Sequence, residues 1–227
     1  MFQDNGLPVS TTDFLKKECP SIAFAFDAYA SETKASASDS LTPKLSALIG
    51  LVISLVIPCK GLVDFYSKKA KKIANSAEIA EAVMAASALR AGGAIGYGRL
   101  AFKLLEENQN NEPEGSRSQI HKDREYMTHL RKANPAPFDR LVGFMESLHK
   151  SHLVLPPKHY ELMAVAGATI TQCVYCLEKH VNDAKKTGAS HREIADVVHM
   201  AVVLRAESTM YEWRASELLE FSSEFQV

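Results

Sequence analysis

Two cysteines and a histidine occur within eight residues of the C-terminal half, in the segment Cys173-Val-Tyr-Cys-Leu-Glu-Lys-His180. Side chains three and four residues apart lie on one face of a helix, so Cys173, Cys176 and His180 are predicted to share a face. Cysteines three residues apart at a helix start can reach disulfide distance. Thiol–disulfide exchange needs an available thiolate, a second thiol that resolves the mixed disulfide, and a group that moves protons. The spacing therefore predicts a redox-active cysteine pair.

Residues that precede the pair could support this chemistry. Thr171 is predicted to cap the helix, which would place Cys173 in the first turn, where unpaired N–H groups and the helix dipole favour a thiolate. Glu161 lies twelve residues before Cys173, on a helix that Pro156-Pro157 begins. A carboxylate can orient a histidine and raise its basicity, as the third member of a catalytic triad does. The predicted catalytic residues are Cys173, Cys176, His180 and Glu161.

The same residues could instead hold a zinc ion. Cys173, Cys176 and His180 would supply three ligands, and Glu161, His191 or His199 could be the fourth. Structural zinc sites more often draw their ligand pairs from a knuckle and a separate element, so redox chemistry is the preferred interpretation. A further alternative is that the cysteines are simply buried. Apart from His180, the histidines show no ligand spacing and are predicted mostly to lie on the surface or in helix packing: His121, His129, His149, His152, His159, His191 and His199.

Helix signals dominate the rest of the chain. Its 227 residues are 46% hydrophobic and 23% charged, which is ordinary for a globular protein. Thr42-Pro43 and Pro156-Pro157 suit helix starts, because proline fits the first helical position. Ser190-His-Arg-Glu193 reads as a capping box, and Asn75-Ser-Ala-Glu78 is a looser version of it. Alternating β-branched stretches are few, so we predict an all-α fold.

Composition also limits the function classes. The formal net charge of −1 implies no general attraction to nucleic acid or to an anionic membrane, and neither is predicted as a partner. The apolar run from Leu48 to Ile57 is shorter than the roughly 20 residues of a spanning helix, so we expect a buried helix there. No secretory signal is apparent, and four cysteines are too few for a secreted disulfide scaffold, which favours the cytoplasm. No phosphate loop, flavin or nicotinamide signature occurs, and no cofactor is predicted.

The two halves of the chain resemble each other. Leu41-Thr-Pro-Lys44 matches Leu155-Pro-Pro-Lys158, and Cys59 matches Cys173. The residue numbers differ by 114 in both matches. Leu89-Arg-Ala91 matches Leu204-Arg-Ala206 at a spacing one residue longer. Ordered matches at nearly one spacing indicate an internal duplication. We therefore predict a degenerate N-terminal half, a polar linker and a redox-active C-terminal half, at residues 1–105, 106–125 and 126–227.

The chemistry differs between these halves. The positions of Cys176, His180 and Glu161 are occupied in the first half by Leu62, Tyr66 and Ala47, and only Cys59 remains of the four groups. One redox site per chain is therefore predicted, in the second half.

The constellation resembles the AhpD-like members of the carboxymuconolactone decarboxylase superfamily. The shared pattern is a glutamate, then C-x-x-C followed by histidine, then a helix start rich in small residues. It stands here as Glu161, Cys173-Val-Tyr-Cys176, His180 and Gly188-Ala-Ser-His-Arg-Glu-Ile194. The resemblance covers residues 134–215 clearly and 20–98 in degenerate form. Tyr175 lies where some members have a histidine between the cysteines.

This resemblance implies an all-helical fold of two pseudo-symmetric halves and a peroxidase-linked disulfide reductase activity. In such proteins the cysteine pair passes electrons, often from a lipoyl-type dithiol to a peroxiredoxin, and organic hydroperoxide is the other expected acceptor. The glutamate and histidine serve a proton relay there, a role that carries over to Glu161 and His180. The resemblance also suggests a homo-oligomer, with a trimer favoured. Decarboxylases of the superfamily generally lack the cysteine pair. The alternative is a non-catalytic helical assembly or zinc-binding protein with the same fold.

Overall fold

The structure is a computed structural model, and it describes residues 9–101, 119–150 and 153–215. Within these ranges the chain is helical and has no strand, as the sequence predicts. The helices are α1 (Val9–Glu18), α2 (Pro20–Ser40), α3 (Pro43–Val56), α4 (Lys60–Lys71), α5 (Ser76–Gly98), α6 (Gln119–Ala133), α7 (Pro135–Ser147), α8 (Pro157–Thr171), α9 (Val174–Lys186) and α10 (His191–Ala215).

The core forms around two helices that are apolar on all sides. Ten residues of α3 and ten of α8 are buried, and the two helices pack against each other. A helix without a polar face must be covered all round. α4 and α5 pack on α3, while α9 and α10 pack on α8. In addition, α5 crosses onto α8 and α10 crosses onto α3, so each half helps to cover the central helix of the other.

Helices α3, α4 and α5 thus repeat in order as α8, α9 and α10, and matched residues make matched contacts. Lys44 pairs with Glu78 at 2.7 Å between Nζ and Oε1, and Lys158 pairs with Glu193 at 2.6 Å between the same atoms. Both glutamates also close capping boxes, at Asn75 and at Ser190, as predicted. The two halves are therefore pseudo-symmetric in their helix order and in the ion pairs that tie each triplet together.

The matched arginines also make equivalent hydrogen bonds, each to a carbonyl oxygen near the end of a central helix. Arg205 donates from Nη1 to the carbonyl oxygen of Ile170 at 2.7 Å, in the last turn of α8. Arg90 makes the equivalent contact with the carbonyl oxygen of Leu55, near the end of α3, at 3.5 Å. The last carbonyls of a helix have no partner within it, and a cation near them is favoured by the helix dipole. The repeated Leu-Arg-Ala segment is therefore explained by helix capping.

The division of the chain at residues 106–125 stays a prediction in most of its length, because residues 102–118 lie outside the described ranges. Its last part is helical, since α6 already begins at Gln119. Met127 and Leu130, at helical spacing, continue that element. None of the described helices is long and apolar enough to cross a membrane.

Candidate functional site

The cysteine pair lies where α8 gives way to α9. Thr171 is the last residue of α8, and Gln172 ends that helix with a left-handed conformation at φ 54°. Cys173 follows with extended backbone and is itself the N-cap of α9. The prediction that Thr171 caps the second helix is therefore wrong. The left-handed turn at Gln172 prevents the two helices from joining and moves the cap to the cysteine.

Capping polarises the first thiol. The backbone N–H of Cys176 donates to Sγ of Cys173 at 3.3 Å, which satisfies one of the unpaired donors of the helix start. The Cys176 thiol also donates to this sulfur. This hydrogen bond is the main cause that lowers the pKa of Cys173 to about 6, against the opposing effect of burial. The same hydrogen bond, with burial, raises the pKa of Cys176. Cys173 is therefore the more acidic thiol of the pair, and neither cysteine is in a disulfide.

The first half contributes to this site through the end of α5. A Cβ built on Gly96 would lie 2.8 Å from Sγ of Cys173 and 3.7 Å from Sγ of Cys176, so the glycine leaves the space that the sulfurs occupy. The positive charge of Arg99, the C-cap of α5, favours the thiolate of both cysteines, although it does not outweigh the effects that raise the pKa of Cys176. Sequence analysis missed both residues. Their only signal is the repeat, which aligns Gly96 with Tyr211.

Glu161 and His180 form a buried pair behind the thiols. Nδ1 of His180 lies 2.8 Å from Oε2 of Glu161, and the two residues are only 9% and 3% exposed. His180 is four residues after Cys176 on α9, which puts the two side chains on one face of the helix. A carboxylate on one imidazole nitrogen leaves the other nitrogen to serve a thiol. The structure thus brings together the glutamate and histidine that sequence analysis picked from different helices.

A second histidine reaches the same carboxylate. Nδ1 of His149, which follows α7, lies 3.4 Å from the other oxygen of Glu161. The ring of Tyr160 stands edge-on to both imidazoles, with centroids 4.8 Å from His149 and 6.2 Å from His180. Burial lowers the pKa of His149. His149 is therefore an exception to the prediction that the scattered histidines mostly pack or face solvent, because the loop after α7 brings it to the buried pair.

The structure gives the zinc alternative little support. In the described part of the chain, no group of three or more histidine, cysteine, aspartate or glutamate side chains has the geometry of a metal site. His191 is exposed at the start of α10. His199 accepts or donates a hydrogen bond with the Tyr29 hydroxyl at 2.9 Å from Nδ1. Of the residues predicted as a fourth ligand, His199 therefore has a hydrogen-bond partner in the protein and His191 faces solvent.

The equivalent position in the first half is filled. Cys59 is the N-cap of α4 but is 1% exposed, Leu62 is fully buried, and burial raises the pKa of Cys59. Tyr211, the counterpart of Gly96, packs its ring against Gly61 so closely that a Cβ there would lie 2.1 Å from it. An aromatic ring therefore occupies the space that the second half keeps for sulfur.

Comparison with known proteins agrees with this architecture. A putative gamma-carboxymuconolactone decarboxylase subunit from Burkholderia xenovorans LB400 superposes with a TM-score of 0.70. The match covers 97% of this chain and 93% of that one at 19% sequence identity, which is a likeness of fold. An uncharacterized protein encoded in the cox locus of Paracoccus denitrificans, protein 4, is 41% identical over 46 residues. This match covers 20% of the present chain and 41% of that relative.

The model of the carboxymuconolactone decarboxylase family matches residues 135–215. The match runs from α7 to α10 and includes the cysteine pair, Glu161, His180 and His149. Over residues 135–215, the chain therefore resembles the carboxymuconolactone decarboxylase family in sequence, and over nearly its whole length it resembles the Burkholderia subunit in fold.

Proposed function

We propose that the protein is a thiol–disulfide oxidoreductase that reduces alkyl hydroperoxides through Cys173 and Cys176. The observation that carries this proposal is the asymmetry of the pair, in which the Cys173 thiolate is held by hydrogen bonds from the backbone N–H and the thiol of Cys176. A cysteine with a pKa of about 6 is mostly ionised at pH 7. Only the thiolate is a nucleophile, and a second thiol beside it allows a disulfide to form.

The oxidative half of the reaction begins at Cys173. Its thiolate attacks an oxygen of the hydroperoxide, the O–O bond breaks, and the departing alkoxide takes a proton to become an alcohol. Cys173 is then a sulfenic acid. Cys176 attacks this sulfur, the S–S bond forms, and the hydroxyl leaves as water with the proton of the Cys176 thiol. Two electrons pass from the two thiols to the peroxide.

The reductive half restores the thiols. A dithiol of the lipoyl type attacks the half-buried Cys176 sulfur, and Cys173 leaves as the thiolate because the thiol of lower pKa is the better leaving group. The second thiol of the donor then attacks the mixed disulfide and releases Cys176. The donor leaves as a cyclic disulfide. A peroxiredoxin disulfide in place of the hydroperoxide would accept the same two electrons.

The proposed proton carrier is His180. Cys176 has a raised pKa, so its thiol must lose a proton before it can attack the sulfenic acid. His180 can accept that proton because Glu161, at 2.8 Å, stabilises the imidazolium that forms, and it then gives the proton to the departing hydroxyl, which leaves as water. His149 on the other oxygen of Glu161 would hold the carboxylate in place. The match to the family model over residues 135–215 supports an enzyme, and the cysteine pair favours redox chemistry over the decarboxylation in the name of the Burkholderia neighbour.

The test is turnover of cumene hydroperoxide with dihydrolipoamide as donor, with and without a peroxiredoxin. We expect activity in the native protein and loss of it in Cys173→Ser and Cys176→Ser. Cys59→Ser and Cys19→Ser are matched controls and should keep it. Peptide mapping of the oxidised protein should find Cys173 linked to Cys176. Inert thiols, or a link from either residue to Cys19 or Cys59, would contradict the proposal and favour the non-catalytic alternative.

A further inference from the structure

A cavity that the thiol chemistry does not use lies between the two halves. It has a volume of about 200 Å³ and lies among α2, α3, α4 and α10, whereas the thiols lie among α5, α8 and α9. Most of its wall is apolar, with Ala37 and Leu41 on one side and Met200, Val203 and Leu204 on the other. An apolar cavity of about 150 Å³ can hold benzene, so there is room here for a slightly larger molecule.

A carboxyl group lines this apolar wall. Glu207 of α10 is 1% exposed, and neither of its oxygens has a hydrogen-bond partner among the described residues. An unsatisfied buried polar group costs about 1 to 3 kcal/mol, so such a group calls for a specific explanation. Leu89-Arg-Ala-Gly92 aligns with Leu204-Arg-Ala-Glu207, which means that the first half has glycine at the matched position. The acid is therefore a feature of the second half alone.

The surroundings of Glu207 keep it uncharged near neutral pH. Burial, with a smaller contribution from the negative charge of Asp27, raises its pKa to about 8. A neutral carboxylic acid offers one O–H donor and an acceptor oxygen. Tyr66 lines the same cavity and stands where the redox half has His180. Its ring packs so close to Gly50 that a Cβ there would lie 2.1 Å from it, so the position of the tyrosine is fixed.

We propose that this cavity binds a small, neutral and mostly apolar molecule with one hydroxyl group, which donates to and accepts from the carboxylic acid of Glu207. A hydroxyl group matches a neutral carboxylic acid in both directions, because each has one donor and acceptor capacity. The apolar wall takes the remainder of the molecule. The site requires neither cysteine, so it is independent of the proposed redox function.

The charges around the cavity argue against the two ionic alternatives. A cation would meet Lys34 and Lys69, which line the cavity, and would have to drive Glu207 into its charged form. An anion would place its charge against the Glu207 carboxyl in an apolar surrounding, where a buried charge is costly. A neutral hydroxyl group avoids both penalties.

Four probes of similar size separate these possibilities: benzyl alcohol, toluene, benzylammonium and benzoate. Titrations of the full chain at pH 6.5, followed by NMR, should show benzyl alcohol as the strongest ligand, with a shift of the Glu207 carboxyl carbon. In Glu207→Leu, which keeps most of the side-chain volume, benzyl alcohol should bind about three- to tenfold more weakly, as expected for one lost hydrogen bond. Toluene should bind this variant at least as well as the native protein.

Val203→Phe provides a second variant, because a larger ring at the wall should exclude all four probes while the helical CD spectrum is kept. The proposal is overturned if benzyl alcohol does not bind the native protein. It is equally overturned if benzylammonium or benzoate binds more tightly than the alcohol, or if Glu207→Leu keeps the native preference for alcohol over toluene.

Discussion

Gly96 of α5 lies directly against the thiol of Cys173, with 2.8 Å between its virtual Cβ and Sγ. Real Cβ atoms do not approach another atom so closely, so any side chain at this position would displace the sulfur. The site of the second half thus depends on a residue of the first. In this duplicated helix triplet, the space for the sulfurs of the second copy is therefore set by its packing against the first.

Gly96→Ala should therefore lower the rate of peroxide reduction by about tenfold or more, because misplacing a reacting group by about 1 Å can cost 100-fold. Gly98→Ala is the matched control. It makes the same change two residues later on α5, where nothing lies within 4 Å of the added atom. Steady-state rates and alkylation of Cys173 would compare the two. Equal rates in both variants would show that Gly96 does not position the thiol.

Alkylation of the two cysteines should follow different pH profiles. Cys173 has a pKa lowered to about 6, so its thiolate fraction rises as pH increases through 6, while Cys176 stays protonated far above that pH. Cys176→Ala removes the hydrogen bond that is the main cause of this shift, so the pH midpoint for alkylation of Cys173 by iodoacetamide should move upward in that variant. Mass spectrometry of the native protein after brief alkylation should find the label on Cys173. Label mainly on Cys176 would reverse the assignment.

The proton relay is tested by changing its two members separately. His180→Gln and Glu161→Gln should slow turnover by about 100- to 10,000-fold, the contribution of a general acid–base group. The two changes together should cost little more than one alone, since Glu161 acts through His180. His149→Gln should have a smaller effect, because it touches only the second carboxylate oxygen at 3.4 Å. Native rates in both single variants would remove the pair from the mechanism.

Much of this arrangement follows from local sequence rules. The proline and capping-box signals at Thr42, Asn75 and Ser190 mark real helix starts, because caps depend on neighbours within four residues. The pairing of Glu161 with His180 was predicted from chemistry and a family resemblance rather than from geometry. The break before the cysteine helix was predicted at Thr171 rather than at Gln172, since a left-handed glutamine carries none of the glycine signal that usually marks such a turn.

The contributions of Gly96, Arg99 and His149 could not be read from the sequence around the cysteines. They come from α5 and from the loop after α7, and only the packing of the two halves brings them to the thiols. The alignment of the halves offered a partial signal. It pairs Gly96 with Tyr211. A position without a side chain beside the cysteine pair thus corresponds to a position with a large side chain beside Gly61.

We expect the protein to assemble into a homo-oligomer, and a trimer would have a mass of about 75 kDa from chains of 25.0 kDa. Large apolar side chains stay exposed on the described surface, including Ile22 at 72%, Phe24 at 59% and Tyr97 at 76%. Clusters of such side chains commonly mark association surfaces. Light scattering at micromolar concentration measures the mass directly. A value near 25 kDa would contradict assembly without affecting the proposed chemistry.

The stability of the chain should fall as the pH rises from about 4.5 to about 8, through the contribution of Glu207. Its pKa is raised from 4.5 to about 8 in the folded state, so the folded chain keeps a proton that the unfolded chain has released. Stability falls with pH wherever the folded state binds more protons.

Glu207→Gln removes this linkage and should raise the free energy of unfolding by a few kcal/mol at pH 8 but little at pH 4.5. Urea denaturation of both proteins at the two pH values measures the difference. Glu32→Gln, at an exposed position on α2, is the control, and it should change the free energy of unfolding little at either pH. A gain for Glu207→Gln that does not grow with pH would mean that the buried carboxyl is ionised in the folded protein.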